Sequence, residues 1–198
     1  MSMILGLVTL SDANVERVIA DPPLVWQVVA PDDPEAYESA RGNAKPGFFA
    51  RLLGRSQNAA PDLVFGEGEG EDSDLDKAWH GIHYLLTGTA WAGSSPANFL
   101  LAGGRTAGEL EVGYGPVRLY TSSEVRAIHA HLQSVTDDGL RARFNPTEMM
   151  KLEIYPGIWD RPPEDDDTLG YLMEYWATLR DRIENAARRS LGVAISLT

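Results

Sequence analysis

The stretch SDLDKAWHGIHYLLTG, residues 73–88, decides the reading of the fold. Leu75, Ile82 and Leu86 recur at helical spacing, and Gly88 suits a left-handed C-terminal cap. Acids at the start favour the positive end of a helix dipole. The spacing predicts a helix over residues 73–87. Trp79 and His83 stand four apart and form a second stripe beside the aliphatic one.

Outward toward the N-terminus lies MILGLVTL, residues 3–10, a short apolar run that reads as a buried strand. Ser11 caps a helix to about Ala20, which Asp21-Pro22-Pro23 stops. Residues 31–72 are expected to be an irregular, partly mobile insertion, because Pro31, Pro34, Pro46 and Gly47 interrupt any period. Arg41, Lys45, Arg51 and Arg55 form a basic island there. Seven acids and no base follow between Asp62 and Asp76.

Toward the C-terminus, Ser95-Pro96 predicts a short helix, and residues 109–112 and 117–120 read as extended. Ser122 or Ser123 caps a helix with Val125, Ile128 and Leu132 on one face. Residues 137–144 are helical, and Asn145-Pro146 opens another helix. Residues 152–155 are expected to be extended. A long helix over residues 165–189 runs from acidic to basic, matching its dipole. Residues 191–197 close the chain as a strand that is a candidate to pair with the first.

The composition bounds the function. The chain has 198 residues, 43% of them hydrophobic, which suits one domain over residues 1–198. Cysteine is absent, so disulfides, thiolate metal sites and thiol catalysis are excluded. The formal net charge of -12 argues against nucleic acid and suits a basic protein partner. The same charge also serves plain solubility. With no membrane span and no secretory signal to be seen, a cytoplasmic protein is expected.

Several rare words occur in order: Asp74-Leu75-Asp76-Lys77-Ala78-Trp79, His83-Tyr84-Leu85-Leu86-Thr87-Gly88, Gly113-Tyr114-Gly115-Pro116, Ser123-Glu124-Val125 and Glu153-Ile154-Tyr155-Pro156 with Trp159. In these the chain resembles the YfbM-like family of uncharacterised bacterial proteins, domain of unknown function 1877. The opening Met3-Ile4-Leu5-Gly6 fits as well. The resemblance implies an α+β fold, with a small, mostly antiparallel sheet packed with several helices. It implies no enzymatic activity.

The candidate pocket residues are Asp76, Trp79, His83, Tyr114, Glu153 and Tyr155. Asp76, His80 and His83 share a helical face, but Asp-x-x-x-His-x-x-His lacks a further ligand, and neither a metal nor another cofactor is expected. No nucleophile elbow or phosphate loop is present. His83 reads either as a histidine hydrogen-bonded in or beside the core or as a pocket residue. Two functions follow. One is a non-enzymatic binding or interaction domain, of the immunity type if its partner is a basic toxin. The other is a small-ligand binder or enzyme with acid–base groups His83, Asp76, Glu153 and Tyr155.

Overall fold

The computed structural model describes residues 2–43 and 62–198. Its frame is one antiparallel sheet. Strand β1 (Leu5–Leu10) pairs with β5 (Gly192–Leu197) along its full length, from Leu5 opposite Leu197 to Leu10 opposite Gly192. Strand β2 (Asp72–Asp74) lies on the outer side of β1. On the other side, β4 (Pro116–Tyr120) pairs with β5, and β3 (Arg105–Glu111) pairs with β4. The order is β2-β1-β5-β4-β3. The two terminal strands thus sit side by side at the centre.

Central strands covered on both faces should be apolar at every position, and that is why MILGLVTL shows no polar alternation. The period of two sorts its side chains. Leu5 and Leu7 join Val193 and Ile195 in one core. Val8 and Leu10 join Ala194, Val117 and Leu119 in the other. Helices α1 (Asp12–Ala20) and α2 (Val25–Val29), with the tight turn Pro22–Leu24 between them, cover the second face. Helix α3 (Pro34–Asn43) follows. The first face carries α4 (Trp79–Thr87), α5 (Ser122–Ser134), α6 (Asp137–Arg143), α7 (Pro146–Lys151) and the long α8 (Thr168–Arg188). The architecture is therefore α+β, a five-stranded antiparallel sheet between two helical layers. No helix among the described residues is long and apolar enough to cross a membrane.

The local signals mostly act as expected. Ser11 caps α1 by accepting from the Asn14 N–H, and Asn145 caps α7 with Pro146 in its first turn. Asp167 caps α8. Three boundaries differ. Helix α5 is capped by Thr121, whose hydroxyl and Glu124 form a capping box, rather than by Ser122 or Ser123. Residues 152–155 are not a strand, because α7 ends at Lys151 and Glu153 takes a left-handed φ of 54° that redirects the chain. After Ser95 the chain forms turns rather than a helix.

Helix α4 also starts later than its sequence predicts. Asp72–Asp74 are drawn into the sheet as β2, and the Leu75 N–H donates to the Leu5 carbonyl at 2.9 Å. Asp74 then accepts from the Asp76 N–H at 2.8 Å, and Asp76 sits at φ 40°. Sheet edge and Asx turn together outcompete the helix until Trp79. Within the 31–72 stretch, α3 is regular, and the expectation for residues 44–61 lies outside the described residues.

Helix α4 is buried all round from Trp79 to Leu86, so it has no solvent face. Gly81 permits this packing: a Cβ there would lie 2.6 Å from Leu172 Cδ2 on α8 and 2.9 Å from Trp159. Gly88, at φ 72°, ends the helix as its left-handed cap. Arg143 donates to the Leu85 carbonyl at 3.0 Å and so satisfies a carbonyl of the last turn. Trp79 is fully buried, and its indole N–H donates to the Met3 carbonyl at 3.2 Å. Replacing Trp79 with Ala should lower the unfolding free energy by about 3–5 kcal/mol. Urea denaturation of the variant beside the wild type measures it, and a loss below about 1 kcal/mol would show the site not to be close-packed.

Candidate functional site

The conspicuous chemistry gathers on α4. His80 and His83, one turn apart, are both fully buried. His80 Nδ1 accepts from the Tyr155 N–H at 2.9 Å. That nitrogen must therefore be bare, and the proton sits on Nε2, which donates to the Ala90 carbonyl at 2.8 Å. His83 Nε2 likewise donates to the Ala92 carbonyl, at 3.0 Å, while its Nδ1 is buried with no partner. Two neutral imidazoles thus hold the loop that follows α4 by carbonyls two residues apart. His80 also fixes the turn that carries Tyr155.

Electrostatics agree with the geometry. Burial depresses the His80 pKa, against the opposing pull of the Ala90 carbonyl. His83 is lowered to about 4, chiefly by burial, with the Ala92 carbonyl acting in the other direction and nearby His80 and Arg118 adding to the drop. Arg118 is itself turned inward, donating to the Phe99 carbonyl at 2.8 Å and to the Leu100 carbonyl.

Trp79 and Tyr155 complete the cluster. The Trp79 ring stacks on His80 at 4.8 Å and on Tyr155 at 5.8 Å between centroids. The Tyr155 hydroxyl accepts from the Met3 N–H at 3.0 Å. Trp91, at the crest of the latched loop, lies 4.3 Å from His80 yet is 63% exposed. Trp79 and Tyr155 are thus stacked into one unit with His80, while His83, its ring 6.5 Å from that of His80, holds the same loop through its own bond to Ala92.

The other three expected residues point elsewhere. Asp76 accepts from the Tyr171 hydroxyl at 2.9 Å, and the Lys77 N–H donates to that same hydroxyl at 3.1 Å, which ties the start of α4 to α8. Glu153 is exposed at its left-handed turn. Tyr114 is 48% exposed, with its N–H donating to the Leu197 carbonyl at 2.8 Å. No three His, Asp or Glu side chains converge as a metal set among the described residues. The role of His80 and of the 89–93 loop is not legible from spacing, because the partners are backbone N–H and carbonyl groups, which every sequence offers.

Because the native state keeps both histidines neutral, unfolding takes up protons. The sign follows from linkage: the folded pKa of His83 lies at about 4, below its ordinary value of 6.5. The contribution is complete above the unfolded value and is lost as pH falls through the window toward 4. Each histidine that titrates only on unfolding adds up to about 1.4 kcal/mol per pH unit in that window. Urea midpoints should therefore drop from about pH 7 to about pH 5, and His83→Gln should flatten the dependence. An unchanged pH profile in that variant would show that His83 is not a source of it.

No curated protein matches the chain. Among solved structures, the fold is similar to YfbM from Escherichia coli, described as a protein of unknown function. The match has a TM-score of 0.61 and 18% sequence identity, and it covers 98% of this chain and 99% of that one. At that identity the likeness concerns the fold alone. The family described as a domain of unknown function, DUF1877, matches residues 1–196. With nearly its whole length matched, the chain belongs to the DUF1877 family.

Proposed function

We propose that the protein is a non-enzymatic interaction domain that binds a basic protein, in the manner of an immunity protein facing a basic toxin. The observation that carries this reading is where the titratable groups lie. The two histidines of α4 are sealed inside, neutral and committed to loop carbonyls. Charge on the surface is then what the molecule offers a partner. The chain carries 29 acids against 17 Lys and Arg. Glu35, Glu109, Glu111, Glu164 and Asp165 all stand exposed. A surface of that sign steers cationic partners and raises their association rate.

Part of the acidity has a structural use, which sharpens the reading. Glu69 accepts from the N–H of Ser11 at 2.5 Å, from Asn14 Nδ2 at 2.7 Å and from the Gly66 N–H at 2.7 Å. Glu71 pairs with Arg189 at 2.7 Å and with Arg182 at 3.1 Å. These two tie the acidic loop to α1 and α8. The carboxylates outside such contacts are the ones free to meet a partner.

Poly-L-arginine is a suitable probe, beside an unrelated acidic domain of equal net charge. Saturable binding that exceeds the reference domain's and weakens steeply with salt is the expected result. Binding no stronger than the reference would remove the reading.

A further inference from the structure

A groove away from α4 carries an aromatic and acidic lining. It encloses about 540 Å³ between α2, α3 and the chain that re-enters at Asp62. Trp26, Tyr37 and Phe65 supply its rings, and Asp33, Glu38 and Asp62 its carboxylates. Against these three acids, Arg41 is the one cationic side chain among the described lining residues. We propose that this groove is the docking site for an extended basic peptide segment of the partner, with an arginine side chain laid between the rings and its guanidinium among the carboxylates. The inference rests on the reading of the protein as a binder of basic partners and assigns that binding a place.

Three observations support it. One guanidinium already sits against a ring of the groove. Arg41 lies 5.2 Å over the Tyr37 ring centroid and donates to the Tyr37 hydroxyl at 2.6 Å. Rings attract a cation through their negative faces, and a planar guanidinium stacks better than an ammonium. The carboxylates stand at the open side: Asp33, Glu38 and Asp62 are all exposed. Phe65 is 37% exposed, a large apolar surface with a cost in water that a bound side chain would remove.

The lining is held from behind, so the walls are preformed. Asp62 accepts from Gln27 Nε2 at 2.7 Å, and the Leu63 N–H donates to Gln27 Oε1 at 2.8 Å. Asp33 caps the first turn of α3 by accepting from the Ala36 N–H at 3.1 Å. Both carboxylates keep an oxygen for a ligand.

The test uses a hexa-arginine peptide, with calorimetry on the full chain. Glu38→Gln lies at an exposed position and should melt as the wild type does, whereas Phe65→Ala also loses the covered part of its ring and should melt somewhat lower while staying folded. Each should weaken the peptide by about tenfold or more. The pair Glu164→Gln with Asp165→Asn removes more charge far from the groove, and should change affinity by less than about twofold. Tetramethylammonium should bind far more weakly than the peptide. Wild-type protein that ignores hexa-arginine but still holds poly-L-arginine would overturn the groove and spare the broader reading. Groove variants that bind like the wild type would do the same. Loss of both probes would remove the two together. Self-association that disappears in Phe65→Ala would assign the groove to a second copy and overturn the peptide.

Discussion

Pairing the first strand with the last is the constraint on which the rest depends. β1 and β5 are two of the three inner strands of the sheet, and their register carries on past the strand ends, where the Ile4 N–H donates to the Thr198 carbonyl at 2.7 Å and the Thr198 N–H returns to the Ile4 carbonyl at 2.9 Å. Bringing the two chain ends together costs loop-closure entropy, though the cost grows only slowly with length. Burial offsets it: the inner strands feed both cores at once, with Leu5, Leu7, Val193 and Ile195 on one side and Val8, Leu10 and Ala194 on the other. Without that pairing neither helical layer would have a floor to pack on.

The histidine latch follows from this arrangement. α4 lies on the first face against α8 and is enclosed on every side, so any polar group on it must be satisfied internally. Two imidazoles that would be neutral or charged in water become neutral donors with fixed tautomers. They hold the loop bearing Trp91, and His80 also holds the turn at Tyr155. Residue types that suggest acid–base chemistry in a sequence here act as rigid hydrogen-bonding links between helix and loops.

Charge is divided between support and surface. Glu16 with Arg105, Glu71 with Arg182 and Arg189, and Asp137 with Arg180 bridge elements distant in sequence. Such exposed pairs contribute little energy singly. Their effect is to fix which acids are paired and which are left to the solvent. The groove of α2 and α3 concentrates the second kind beside aromatic rings.

By itself the sequence determined what depends on neighbours along the chain. The caps at Ser11 and Asn145, the left-handed end at Gly88, the long terminal helix and the apolar inner strands are all set within a few residues, and local sterics and hydrogen bonding suffice to choose them. The order of the rare words from Asp74 to Trp159 also carried the family. Tertiary structure decided the rest. It pulled Asp72–Asp74 out of the expected helix and into the sheet edge, because β1 offered them backbone partners. It bent the chain at Glu153 where a strand was expected. It joined Trp79 and Tyr155 through His80, with His83 beside them holding the same loop, and it separated Asp76, Glu153 and Tyr114 from them. Those outcomes rest on backbone groups and side chains brought together from remote positions, such as the Ala90 carbonyl and the Tyr155 N–H on His80 and the Tyr171 hydroxyl on Asp76. No spacing along the chain encodes them, since a backbone carbonyl looks alike at every residue and acquires its role only from what the fold sets against it.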